Sequence, residues 1–423
     1  MRSIAASAMS ASTIAQMART ATPVADIDNN EKIETDAPMT SDSVPSSVDR
    51  SSSRTRVLYV ALPLLTLSWL VLLSVLAMSV TRIQRWEVAP GEAARVASRI
   101  SFAAIKGEGA PPKRYRSTNS IRFVTAQTGQ LTALDSLLAW IDPHVIVDTY
   151  REHFGTQTPS SVRRLGYQSM FGAKQIAEYV ALKKLGMKAE FHEGAVLIEQ
   201  TICVENSAPK SACKVLDVGE VITSVDGEKT PTLTELVAQL KDRKVGDVVT
   251  LMVIPYSMHG QKAKQAEKRT VELMESPDTP GKTIIGFSPA DTRTVELPFN
   301  VNIATADIGG PSGGLAFTLA LIDELTAGNL MGETQVAATG TMNEAGQVGA
   351  IGALEQKAIA VRDSGAKLFL VPAGQSKDEM SRARKAAGTG VKIVQVATLD
   401  DALRVLAAQG GAPLPSTTGS TAK

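Results

Sequence analysis

Val57 to Val80 reads VLYVALPLLTLSWLVLLSVLAMSV, a run without one charged side chain. A helix over it is long enough to cross the hydrocarbon core of a bilayer, and it is too long for an ordinary buried core helix. A cleaved signal peptide fits poorly, because such a leader has a short basic start and a shorter apolar stretch. The sequence therefore predicts one transmembrane signal anchor over 57–80. Residues 1–56 are rich in Ser, Thr, Ala and Asp and have no apolar periodicity, so they are expected to form a disordered tail. Arg50, Arg54 and Arg56 flank one end of the run and Arg82 and Arg85 the other. The excess of positive charge that orients a span is slight, so charge alone leaves the topology open.

Beyond the anchor, the 423-residue chain has room for two or three domains. A net charge of +1 and an aromatic content of 4% give no reason to expect nucleic acid as a partner.

The chemistry concentrates between Asp307 and Lys357. Gly309, Gly310 and Pro311 set Ser312 at the mouth of a helix, since Pro suits a first helical turn and Gly lets a backbone approach a ligand. From Leu315 to Leu325 that helix is apolar nearly all round and should be buried. Gly310, Ser312 and Gly314 fit the G-x-S-x-G nucleophile elbow, which needs an acid and then a His downstream. His144, His153, His192 and His259 all precede Ser312, so that triad is excluded. The Lys-Ser or Lys-Thr end of a phosphate loop is missing as well. A lysine remains as the base. At about 100° per residue, Leu354, Ala358 and Val361 share a helix face and Lys357 lies within roughly 60° of its centre. Burial would lower its pKa toward the range useful for deprotonating a serine. The other reading is a lysine whose stem packs while its amine reaches water. Backbone around Gly310, Pro311 and Gly313, at a helix start, is the natural oxyanion site.

GGPSGG followed by VAATGTMNEAGQVGAIGALEQKAIAVRDSGAKLFLVP resembles the proteolytic domain of Lon-type endopeptidases over about 283–408. The resemblance implies that Ser312 is the nucleophile, Lys357 the general base and Thr339 the residue that orients the lysine. Gly313 departs from the Ala usual after the serine. The resemblance extends to stand-alone, membrane-anchored Lon-like proteins that carry a PDZ domain outside the cytoplasm. It implies single-pass anchoring in the cell membrane with extracytoplasmic globular domains. Because Lon relatives form rings, it also implies a homo-oligomer.

The predicted fold is α/β (α+β) and multidomain. Residues 81–165 are a lead-in expected to pack on the later domains. YQSMFGAKQIAEYVALKKLG reads as a helix with Met170, Ala173, Ala177 and Val180 on one face. With the strands and helices that follow, it opens a segment, 166–275, whose order resembles a PDZ domain. PDZ domains add a peptide to a sheet edge. Leu233, Val237 and Leu240 would form one wall of its groove, although a domain that never binds peptide would have the same elements. Cys203 and Cys213 could form a disulfide outside the cytoplasm or remain two buried thiols, and their spacing with His192 fits no zinc site. HGQKAKQAEKR reads as a solvated hairpin tip. A linker near 276–282 leads to the last domain, which begins with TIIGFSP and a strand pair over TVELPFNVNIATA. The tail 409–423 should be loose.

These features predict a serine endopeptidase that acts on unfolded or exposed protein segments and uses no metal or nucleotide. Two alternatives keep the same fold: a catalytically silent PDZ scaffold at the membrane, and a protein that cleaves only itself.

Overall fold

The computed structural model describes residues 51–105, 110–117, 119–155, 157–204, 207–256 and 265–414. The expected disorder of 1–50, the tip of the basic hairpin at 257–264 and the end of the tail at 415–423 lie outside the described residues.

The apolar run forms a helix, Ser51–Val80. It starts earlier than expected, because Ser51 to Arg56 contain no Gly or Pro to stop a helix growing back from the run. The tail expectation therefore fails for 51–56. Within the helix, Ala61–Val80 spans 20 residues with mean hydropathy 2.2 and none of its most apolar window buried in the protein. At about 1.5 Å per residue it matches a hydrocarbon core of about 30 Å.

Past the helix, the main sheet has six strands in the order Lys392–Val396, Leu368–Pro372, Val336–Ala338, Arg122–Thr132, Arg82–Arg95 and Ile146–Thr149. The first four run parallel to one another and the last two pair antiparallel. The lead-in thus supplies half of the C-terminal domain's sheet instead of packing on it from outside. Side chains alternate across the sheet as a period of two requires. Leu368 and Leu370 face one core with Phe123 and Val336, while Phe369 and Val371 face the other with Val124 and Ala337. The first core is covered by the helices Gly314–Leu325 and Pro159–Lys184, the second by Leu354–Asp363 and Lys377–Ala387. The domain has three layers, helices over both faces of one sheet.

Helix Pro159–Lys184 corrects the expected boundary at 166. Its face of Met170, Ala173, Ala177 and Val180 is buried as the periodicity requires. Met170, Ala177 and Val180 lie in the same core as Leu315 and Leu319 of the serine-bearing helix. The pattern defines a face but not the partner that covers it.

The second sheet runs Glu267–Glu272, Val248–Ile254, Val221–Val225, Val196–Thr201 and Phe287–Pro289, with Glu228–Lys229 pairing Val221–Val225. Its core includes Ile198, Ile222, Leu236, Val249 and Leu251. Thr232 and Glu235 form a capping box that starts the helix Leu233–Leu240. Thr283–Ile284 pairs with Met274–Glu275, and Phe287–Pro289 pairs with Val196–Thr201. The stretch TIIGFSP therefore pairs within this second domain, partly in a separate two-stranded ladder and partly in the main sheet, and not in the last domain. Thr294–Glu296 and Asn300–Ile303 pair with Glu190–His192 and Ile100–Ala103 instead of with each other. The second domain is thus an insertion between two parts of the first.

Candidate active site

Ser312 lies in a 3-10 turn, Pro311–Gly313, that runs into the helix Gly314–Leu325. Three glycines shape this turn. Gly310 has φ 92°, a conformation that side chains disfavour, and its N–H donates to Gly166 O at 2.7 Å. A Cβ on Gly309 would lie 3.0 Å from the Gly166 carbonyl carbon. Helix Pro159–Lys184 presses against the turn at Gly309, where a Cβ would crowd its backbone, while Gly310 is needed for its positive φ. At Gly313 a Cβ would lie 2.7 Å from Phe317 Cζ, so the buried ring takes the space that an Ala would need. Pro311 has no N–H and the amide of Gly310 is already engaged. Neither is available as an oxyanion donor, which narrows the expected set to the start of the helix at Ser312 and Gly313.

The lysine comes from the opposite layer. Its helix, Leu354–Asp363, begins at Ala353, a non-glycine residue with φ 55°. Lys357 is 5% exposed and burial lowers its pKa from 10.5 to about 8. Its Nζ lies 2.9 Å from Ser312 Oγ. The two helices cover different faces of the sheet, so the groups meet just past the end of the strand Val336–Ala338. The next residues of that strand fasten the meeting point. Gly340 N–H and Thr339 Oγ1 both donate to Ser312 O, at 2.8 and 3.1 Å, and Gly340 O accepts from Leu315 N–H. Thr339 is fully buried, and its Oγ1 lies 3.5 Å from Lys357 Nζ. The serine is half-buried and the base behind it is dry.

No histidine shares this site among the described residues. His153 pairs with Asp148, His192 with Glu296, and the backbone oxygen of His144 accepts from Gln356. No group of three or more His, Cys, Asp or Glu is placed to hold a metal among the described residues. A buried amine, a serine hydroxyl and an adjoining helix start can deprotonate a nucleophile and stabilise an oxyanion.

Residues 300–409 match the Lon protease (S16) C-terminal proteolytic domain. The C-terminal part of the chain is a Lon-type proteolytic domain, and its match begins at the strand Asn300–Ile303 and ends after the last helix. Similar curated proteins include the Lon protease of Chloroflexus aggregans, 25% identical over 41% of this chain and 22% of its own length. Another is the Lon protease of Trichlorobacter lovleyi, 32% identical over 28% of this chain and 14% of its own. The chain thus spans about a fifth or less of the length of these relatives. Among solved structures, the PDZ domain of the SdrC-like protein from Listeria monocytogenes is 24% identical. It covers 24% of this chain and 90% of its own, with a TM-score of 0.18.

In the inserted domain, Leu233 and Val237 are exposed on their helix and Leu240 packs at the edge of the core. One of the two edge strands of the sheet is Phe287–Pro289, which local sequence places in the next domain. Its signal was Ile285 and Phe287 flanking Gly286, which adopts φ 104°. Cys203 and Cys213 form a disulfide with Cα atoms 5.3 Å apart, the first of the two alternatives. Next to Cys203, Ile202 N–H donates to Gly286 O at 2.8 Å, so the bridged loop is tied to the turn before the edge strand Phe287–Pro289.

Proposed function

We propose that this chain is a membrane-anchored, ATP-independent serine endopeptidase that uses Ser312 and Lys357 as a catalytic dyad. The observation that carries the reading is a 2.9 Å contact between a serine hydroxyl and a lysine amine that burial brings to a pKa of about 8. Near that pH a useful fraction of Lys357 is neutral and can accept a proton. Ser312 Oγ then bonds to the carbonyl carbon of a peptide as its proton passes to Lys357 Nζ, and the carbonyl oxygen becomes an oxyanion beside the helix start. Collapse breaks the C–N bond, and Lys357 returns the proton to the leaving amine. In the second half Lys357 takes a proton from water as its oxygen bonds to the ester carbon, and returns that proton to Ser312 Oγ as the C–O bond to the serine breaks, which restores the dyad. Thr339 orients both partners, through Ser312 O and Lys357 Nζ.

This chemistry uses no nucleotide, so the substrates of this reading are unfolded or exposed segments. The inserted domain, as a PDZ domain, would present them by adding a peptide beside Phe287–Pro289, with Leu233 and Val237 on the opposite wall. The apolar helix supports a single-pass anchor, and the disulfide supports an oxidising compartment outside the cytoplasm. The reading also includes a homo-oligomer. The test is cleavage of casein by the full chain in detergent micelles, wild type against Ser312→Ala and Lys357→Ala. Cleavage by wild type alone is expected. Activity that survives Ser312→Ala would overturn the nucleophile. A folded but silent wild type would leave the scaffold.

A further inference from the structure

Helix Ala133–Ile141 buries only Ala139, while Leu137, Leu138, Trp140 and Ile141 are between 53% and 87% exposed. Soluble surfaces seldom leave so many large apolar side chains together in water. The position of this helix explains the exposure. The strand Arg82–Arg95 leaves the apolar helix directly, and Arg82 pairs in register with Thr132. Thr132 caps the exposed helix, and the N–H of Ala133 donates to Thr81 O at 2.9 Å. The first turn of the exposed helix is thus hydrogen-bonded to the first residue beyond the span. Wherever Val80 meets the bilayer surface, Ala133 lies there too.

We infer that Ala133–Ile141 is an interfacial helix whose apolar side chains enter the outer part of the lipid layer in which the span sits. Trp140 is the most exposed of them, and Trp favours the zone between headgroups and acyl chains. Arg82, exposed and level with Thr132, is placed to meet lipid phosphates. Two points of attachment fix what one helix alone would leave free to swivel. The globular part is held at a set height and tilt, so Ser312 faces chains at a defined distance from the surface. This inference rests on the membrane-anchored reading.

The three tryptophans make it testable, because Trp69 lies in the span, Trp86 is 7% exposed in the core, and Trp140 is 87% exposed. The full chain is reconstituted into vesicles of phosphatidylcholine and phosphatidylglycerol with acyl chains brominated either near the ester or near the methyl end. Trp69→Phe reads Trp140, Trp140→Phe reads Trp69, and the double variant gives the Trp86 background. The expected result is Trp140 quenching several-fold above that background, strongest with bromine near the ester. Quenching of Trp69 without Trp140 would overturn the interfacial helix and keep the anchor. Quenching of neither would overturn the anchor and this inference together. A Trp140 shielded from bromine, with emission that shifts on dilution of protein in lipid, would assign the face to a second copy and overturn the lipid assignment.

Discussion

The helix that carries Lys357 and the helix Leu233–Leu240 are of similar size, ten and eight residues, and treat water in opposite ways. The first buries seven residues, among them a lysine and a glutamine, whereas the second buries only Leu236 and leaves Val237 55% exposed. A base must be dry, because desolvation is what makes an amine neutral near neutral pH. A capture surface, which the proposed function makes of Leu233–Leu240, must stay wet until its ligand arrives, because its affinity comes from apolar area still available to be covered. The two helices therefore respond differently to substitution, and each response can break the contrast.

The largest effect belongs to Ser312→Ala. If Ser312 is the nucleophile, casein cleavage falls by at least about 10³-fold, as loss of a nucleophile does in other serine enzymes. Its circular dichroism and melting should stay near wild type, since Oγ is half-buried and its backbone contacts remain.

Lys357→Met should remove activity as fully, yet move stability the other way. The folded pKa of about 8 lies below the ordinary 10.5, so between those values the unfolded chain binds the proton that the folded one has lost. Stability of the wild type therefore rises as pH climbs through that window, and below about 8 the burial penalty is present in full. Met fills similar volume with no charge to desolvate. Urea denaturation should find the variant more stable by up to about 3 kcal/mol at pH 7, from about 1.4 kcal/mol per pKa unit, with the gain vanishing toward pH 10.5. A variant less stable than wild type at pH 7 would mean that the amine is not desolvated. The same titration sets activity. Wild-type kcat/KM should rise through about pH 8 and level off above it.

Thr339→Val tests the fastening between the layers. It keeps the shape of a fully buried side chain and removes the hydroxyl that donates to Ser312 O. Gly340 N–H still holds that oxygen, so kcat should fall by only about 10-fold, the kinetic equivalent of one hydrogen bond. Rescue by Thr339→Ser would tie the loss to the hydroxyl and not to packing.

These residues stand out in the sequence because their settings are written locally. A helix face is fixed by spacing alone, so Leu354, Ala358 and Val361 aim Lys357 inward before any neighbour is known. The positions of glycine, proline and serine likewise announce a special turn at 309–314. What spacing does not carry is the partner across a long loop. The strands Arg82–Arg95 and Arg122–Thr132 show no strict alternation of buried and exposed residues, and nothing in their local pattern says that Arg122–Thr132 lies beside Val336–Ala338. The face of Met170 and Ala177 was legible, while its cover, the serine helix, was not. Phe287–Pro289 reads locally as part of the next domain for the same reason, since its partner Val196–Thr201 is far away in the sequence. Chemistry that depends on local geometry was therefore clearer than the architecture that holds it. Gly313 shows the reverse case: an apparent departure made sense only when Phe317 was seen in the space beside it.

Val237→Asp should give the smallest effect and separates the two helices most cleanly. The side chain is exposed, so the charge costs little fold stability, and melting should shift by no more than a surface substitution does. If Leu233–Leu240 walls a peptide groove, the Asp places a charge where an apolar side chain of the ligand would rest. KM for casein should rise a few-fold, about the loss expected for one apolar contact, while kcat stays unchanged. Cleavage of a short peptide that reaches Ser312 without spanning the inserted domain should be unaffected, which sets this variant apart from every change at the dyad. Equal losses on both substrates would mean that the exposed helix acts on the fold or on Ser312 itself. No loss on either would leave the inserted domain without a part in capture, and the wet face of Val237 would need another explanation.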